Sequence, residues 1–271
     1  MTRSAEQVAD DIGDHPALEW MARAGYAVNG LLHILIAGIV VQIVAGRGGE
    51  ADQAGALQAV AQLPLGGVML WVGVVGYAGL TIWQLLDAIA GYRPGAKTDA
   101  VSVADRFKDA GKAGVYAVLA WTTWKFASGS STDSGKTTSD FTTTLMSAPA
   151  GQVLVGAVGL GVVGVGGYHV WKGVTKRFLE DLDDNAPGKL GRAVELAGLV
   201  GYGAKGVALG LVGLLFGWAA WTTDPDQATG LDGAVRTLAN EPFGSLTLAV
   251  IAAGFVAFGI YSMARARYAD L

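Results

Sequence analysis

The chain has 271 residues, 52% of them hydrophobic and 15% charged, against roughly 25% charged in an average soluble domain. Its 41 glycines follow no three-residue period and sit inside apolar runs, which excludes collagen and low-complexity disorder. A net charge of −4 argues against nucleic-acid binding, and the lack of cysteine removes disulfides, thiol nucleophiles and thiolate metal sites. Glycine-rich apolar helices are typical of tightly packed membrane bundles, so the expected class is an all-α integral membrane protein in the lipid bilayer.

Residues 1–19 are acidic, with Glu6, Asp10, Asp11, Asp14 and Glu19, and lack the basic-then-apolar order of a cleaved signal peptide. They read as a cytoplasmic tail. Six apolar stretches follow, near 25–45, 66–89, 110–127, 151–171, 198–221 and 244–264. Each reaches or approaches the ~20 residues that cross a ~30 Å hydrocarbon core. Lys112, Thr122, Thr123 and Lys125 make the third the most polar. The Ser/Thr/Gly-rich stretch 128–139 reads as a flexible loop. With both termini in the cytoplasm, 14 of the 19 lysines and arginines fall on the cytoplasmic side, so a multi-pass plasma (bacterial inner) membrane protein is expected.

The same unit recurs three times, at 20–93, 105–177 and 194–268, each holding two spans. Each even span is preceded by a short amphipathic stretch and a Pro-x-Gly: Pro64-Leu65-Gly66, Pro149-Ala150-Gly151 and Pro242-Phe243-Gly244. Twelve residues after each proline stands a glycine (Gly76, Gly161, Gly254), and 19 after it an aromatic (Trp83, Tyr168, Tyr261). Proline fits the first turn of a helix, where its missing N–H costs nothing, so Pro-x-Gly reads as helix initiation. Two spans per repeat leave all repeats pointing the same way. The fold class expected is therefore six transmembrane helices related by a pseudo-threefold axis along the membrane normal.

The first odd span opens Gly25-Tyr26-Ala27-Val28-Asn29-Gly30 and the third Gly201-Tyr202-Gly203-Ala204-Lys205-Gly206; the second keeps Lys112 and Tyr116 but has no Gly-Tyr pair. This layout resembles the family of bacterial membrane proteins known as domain of unknown function 1206, whose members carry the two-helix unit three times. The resemblance implies a fold and a topology with both termini inside, and no activity.

Polar residues within spans are the candidate functional groups. Asn29, Lys112 and Lys205 share one repeat position, 35 to 37 residues before the Pro-x-Gly proline. Together they could face an anion or a lipid headgroup; alternatively the lysines snorkel to the interface. His33 lies one turn beyond Asn29 and either relays protons or bonds a neighbouring helix. Tyr116 completes the candidate set. Tyr77, Thr81 and Gln84 form a polar stripe ending near Asp87, which is expected to pair with Arg93. No metal-ligand spacing, cofactor motif or catalytic signature is found, so no enzyme and no cofactor are expected. Haem between His33 and His169 would need ligands at matching depth, and theirs differ. The two functions left are a site or pathway for a small anion, ion or lipid at the repeat axis, and an accessory subunit docking a membrane partner or a second copy.

Overall fold

Of the chain's prolines only Pro16 falls within a long apolar run, at its first position, so nothing breaks these runs as helices. The computed structural model describes residues 15–90, 103–182 and 188–269; most of the acidic tail, with Arg93 and Lys97, lies outside the described residues. Six long helices result: α1 (Pro16–Val44), α3 (Gly66–Ala90), α4 (Val103–Ala127), α6 (Gly151–Val174), α7 (Gly188–Thr222) and α9 (Gly244–Tyr268). Three short ones, α2 (Gln53–Ala61), α5 (Ser134–Met146) and α8 (Gly230–Ala239), each precede an even-span helix. Five of the long helices are long and apolar enough to cross a membrane; α4 has the length but not the apolar composition. Helices α1 and α7 begin nine or ten residues before the expected spans, the extra turns carrying the polar ends.

The long helices pack in the order α4–α3–α1–α9–α7–α6. Glycines set all of these contacts but α4–α3. In lipid no hydrophobic force joins apolar helices, so backbone proximity and dispersion must do so. A Cβ on Gly30 would lie 2.7 Å from the Gly259 carbonyl oxygen, and one on Gly259 2.7 Å from that of Gly30, which ties α1 to α9. The same repeat positions tie α6 to α7, where a Cβ on Gly166 would lie 2.6 Å from the Gly206 oxygen. One helical heptad away, a Cβ on Gly159 would lie 2.8 Å from the Gly213 oxygen.

Within repeat 1, α1 meets α3 at Gly25 and Gly76, where a Cβ on Gly25 would lie 2.7 Å from the Gly76 oxygen. Within repeat 3, α7 meets α9 at the equivalent places: Gly201 against Phe258, and Gly254 against Ala204. Repeat 2 departs. Lys108 stands where the others have Gly25 and Gly201, a Cβ on Gly161 would touch nothing within 4 Å, and α4 and α6 do not pack along their length. The ring of six helices therefore has a seam between α4 and α6.

The Pro-x-Gly motif differs from the expected helix start. Each proline precedes its helix by two residues and lies in a tight turn closed by the glycine N–H, which donates to the carbonyl three residues back at 2.9 Å (Leu63, Ala148, Glu241). The middle residue is left-handed in all three: Leu65 at φ 65°, Ala150 at 61°, Phe243 at 63°. Proline followed by a positive-φ residue is the pattern of a type II turn. The glycine is required because a Cβ there would strike the backbone carbonyl of Val60, Leu145 or Leu238 at the end of the short helix.

The short helices close one end of the ring, opposite the termini, with their starts drawn together. Asp52 caps α2, accepting from Gly55 N–H at 3.0 Å. Asp232, in the first turn of α8, accepts from Ala51 N–H at 2.8 Å and from Arg236 at 2.6 Å. Ser139 of α5 donates to Asp226, just before α8, at 2.9 Å. Acids at these N-termini offset the positive ends of the helix dipoles. Part of the stretch read as a flexible loop, from Ser134, is thus helical and built into this cap.

A paired comparison tests the glycine contacts. Gly166→Ala should destabilise the chain by about 1–3 kcal/mol through overpacking. Gly164→Ala, on the same helix with nothing within 4 Å of its Cβ, should be neutral or stabilising by up to ~1 kcal/mol. Thermal midpoints in one detergent decide it, and equal shifts would reject the glycine account.

Candidate functional site

The Gly-Tyr pair that opens α1 and α7 does two things. Its glycine admits the neighbouring helix, and its tyrosine is buried beneath a cation from the preceding repeat in the ring. The Arg265 guanidinium lies 4.3 Å from the Tyr26 ring centroid, and the Lys172 ammonium 5.3 Å from that of Tyr202. Arg265 and Lys172 each stand 23 residues after a Pro-x-Gly proline, a spacing visible in the sequence but not singled out there. Both turn to Asp181, in the short 3-10 turn Arg177–Asp181 after α6, at 2.6 Å from Lys172 and 3.4 Å from Arg265. Burial by itself would raise the Asp181 carboxyl; Arg265 and Lys172 outweigh it and hold it below its ordinary range. Tyr261 donates to the Phe178 carbonyl at 2.7 Å and closes the same end. Arg23 covers the last carbonyls of α9, donating to those of Ala266, Arg267 and Ala269.

In repeat 2 the tyrosine position is Asp109, buried and paired with Lys112 at 2.7 Å. The position 23 residues after Pro64 is Asp87, which accepts from Gln84 at 3.2 Å; its expected partner Arg93 lies outside the described residues. The stripe above it turns inward: Tyr77 is fully buried against Gln53, and Thr81 bonds its own helix at the Tyr77 carbonyl.

The five candidate residues separate into two groups. Asn29 bonds Ser262 across the α1–α9 contact at 3.3 Å. Lys112 is held by Asp109, and Tyr116 stacks on Tyr77 with centroids 6.3 Å apart. His33 and Lys205 remain together at one cavity of about 80 Å3, otherwise walled by Ile36, Ala208, Leu209, Val212, Leu231 and Phe255. The His33 ring contacts its own helix through Nδ1, 2.8 Å from the Asn29 carbonyl, and packs against Phe258 at 4.6 Å. This uses Nδ1–H as donor and leaves Nε2 as the other ring nitrogen. The Lys205 ammonium lies 4.2 Å from the Phe258 centroid, and among the described residues no carboxylate bonds it. His169, on α6, bonds the Val165 carbonyl and lies 5.7 Å from Tyr202, within electrostatic reach of Lys205. Of the cap, Leu231 of α8 reaches the cavity wall, and the cavity is partly open.

These features define an all-helical membrane protein of three two-helix repeats, with a partly open cavity whose lining presents nitrogen groups and no acid. The family model described as Domain of Unknown Function (DUF1206) matches residues 24–91, 108–176 and 200–269, and the chain belongs to that family. It is 29% identical over 254 residues, 93% of this chain and 92% of its relative, to a protein of Bacillus subtilis (strain 168) described as uncharacterized protein YxxB. No solved structure matches.

Asp181→Asn should leave Lys172 and Arg265 without their shared acid and cost roughly 3 kcal/mol. Because the folded-state pKa of Asp181 is lowered, its contribution is present above the ordinary value of 3.8 and is lost as pH falls through the lowered value. The wild-type minus variant difference in thermal midpoint should therefore shrink towards zero in acid; a difference independent of pH would reject the assignment.

Proposed function

We propose that this protein binds a small anionic group inside a six-span bundle whose repeats are related by a pseudo-threefold axis, with both termini in the cytoplasm. The carrying observation is Lys205, an ammonium at a partly open, otherwise apolar cavity beside His33, with no carboxylate bonded to it among the described residues. A cation in hydrocarbon is costly without a counter-charge, and an anion is the partner this surrounding omits. A volume of about 80 Å3 has room for a small anion with a water, not a large organic substrate. The repeat symmetry is supported by equivalent glycine contacts at Gly30/Gly259 and Gly206/Gly166. The orientation is supported by the bias of lysine and arginine to the end that carries both termini, and by exposed Trp121, Trp218 and Trp221 near the capped end.

A second reading, an accessory subunit, is favoured by one observation: α6 is the least buried of the apolar helices and leaves a face for a membrane partner. The two readings separate in a titration of the purified chain with halides, nitrate and phosphate, followed by calorimetry and thermal midpoint. The anion reading expects saturable stabilisation by at least one of them, weakened about tenfold or more in Lys205→Ala. Stabilisation by none, or equal stabilisation of the variant, rejects it.

A further inference from the structure

The seam between α4 and α6 is an interruption of the repeat, and its cause is chemical. Repeats 1 and 3 close the corresponding contact with Gly25 and Gly201; repeat 2 places Lys108 there, and Gly161 and Gly111 meet nothing. The helices approach at the end nearer the termini, where the Lys108 ammonium lies 5.9 Å from the Tyr168 ring. Above it Val115, two turns from Lys108 on α4, and Val165, one turn from Tyr168 on α6, are exposed on those same helix faces. Water gains nothing from such walls, and an empty slot in hydrocarbon forfeits dispersion on both sides. At the mouth stands Lys108, which no carboxylate bonds among the described residues; Lys112, one turn on, is already neutralised by Asp109. Apolar walls below a basic mouth at the level of the interface match one class of molecule.

We propose that one anionic phospholipid is a fixed component of this fold, with an acyl chain in the α4–α6 seam and its phosphate on Lys108. The lipid stands in for the missing helix contact. Lys108 has two separable roles: its bulk keeps the helices apart, and its charge selects the headgroup. This site is distinct from the Lys205 cavity and does not depend on it.

The chain's lack of cysteine makes the seam directly measurable. Native mass spectrometry of the full chain, released from nanodiscs of mixed phosphatidylglycerol and phosphatidylcholine, should show one retained phosphatidylglycerol and little phosphatidylcholine. Lys108→Gln, which keeps the bulk, should lower the preference for phosphatidylglycerol about tenfold. Lys108→Gly, which restores the residue of the other repeats, should lose the lipid and let the helices close. Closure is read as faster disulfide formation in a Gly111→Cys, Gly161→Cys background, with helical content by circular dichroism reporting folding. Lys205→Ala should leave lipid retention unchanged. The proposal is overturned by equal retention of both lipids, by retention of phosphatidylglycerol undiminished in Lys108→Gln, or by rapid 111–161 disulfide formation in the wild-type background. It is overturned too if a copurifying protein, and no lipid, shields Gly161→Cys from maleimide in native membranes.

Discussion

Close backbone approach at glycine is the interaction on which this bundle depends. Where lipid tails are as apolar as leucine, burying apolar surface between helices gains little, and helices are held by dispersion at short range. The contacts of α1 with α3 and α9, and of α7 with α9 and α6, fit that rule, whereas α3 and α4 meet through side chains such as the stacked Tyr77 and Tyr116. Gly30 and Gly259, Gly166 and Gly206, and Gly25 and Gly76 each place a backbone where a methyl group would collide with another backbone. The cap depends on the same device, since the glycines after Leu65, Ala150 and Phe243 abut the carbonyl ends of the short helices. A left-handed non-glycine residue costs roughly 1–2 kcal/mol. Three of them at equivalent places mean that the turn before each even-span helix is held by its surroundings and not by local preference.

Much of the architecture was legible in the sequence, for identifiable reasons. Helix length and the threefold recurrence follow from apolar runs punctuated by Pro-x-Gly, and neither needs long-range information. What stayed hidden depended on pairs far apart in the chain. Asp181 looks like an ordinary solvated acid between spans until Lys172 and Arg265 are seen to converge on it. The first turns of helix α5, from Ser134 to Ser139, read as loop because serine and threonine disfavour helix interiors. Here Asp133 caps it, and hydroxyls of Thr137, Thr138, Thr142, Thr143 and Thr144 each bond a carbonyl four residues back, so the polar run satisfies itself. The proline was assigned to the wrong side of its turn because pattern alone does not separate a first helical residue from the corner that precedes it.

Of the candidate site, the residue types were legible and their grouping was not. Asn29, Lys112 and Lys205 occupy one repeat position, yet their neighbours differ: Ser262 takes the first, Asp109 the second, and the third faces a cavity. Equivalent backbone places do not impose equivalent chemistry when the residue one turn earlier changes. Tyr26 and Tyr202 accept a cation from the adjoining repeat, whereas Asp109 neutralises its own helix's lysine.

The departures of repeat 2 form one connected set. Replacing Gly-Tyr by Lys108-Asp109 removes both the close approach and the aromatic platform, so α4 cannot lock onto α6 as α1 locks onto α3 and α7 onto α9. The seam that results lies across the ring from the α1–α9 contact, the side from which His33 and Phe255 line the cavity. That cavity is lined from α1, α7 and α9, with Leu231 of α8 the cap's contribution, and those three long helices are joined by glycine contacts. The exchange of one dipeptide in repeat 2 thus concentrates the loosest packing of the bundle in one place, across from the tight α1–α9 contact.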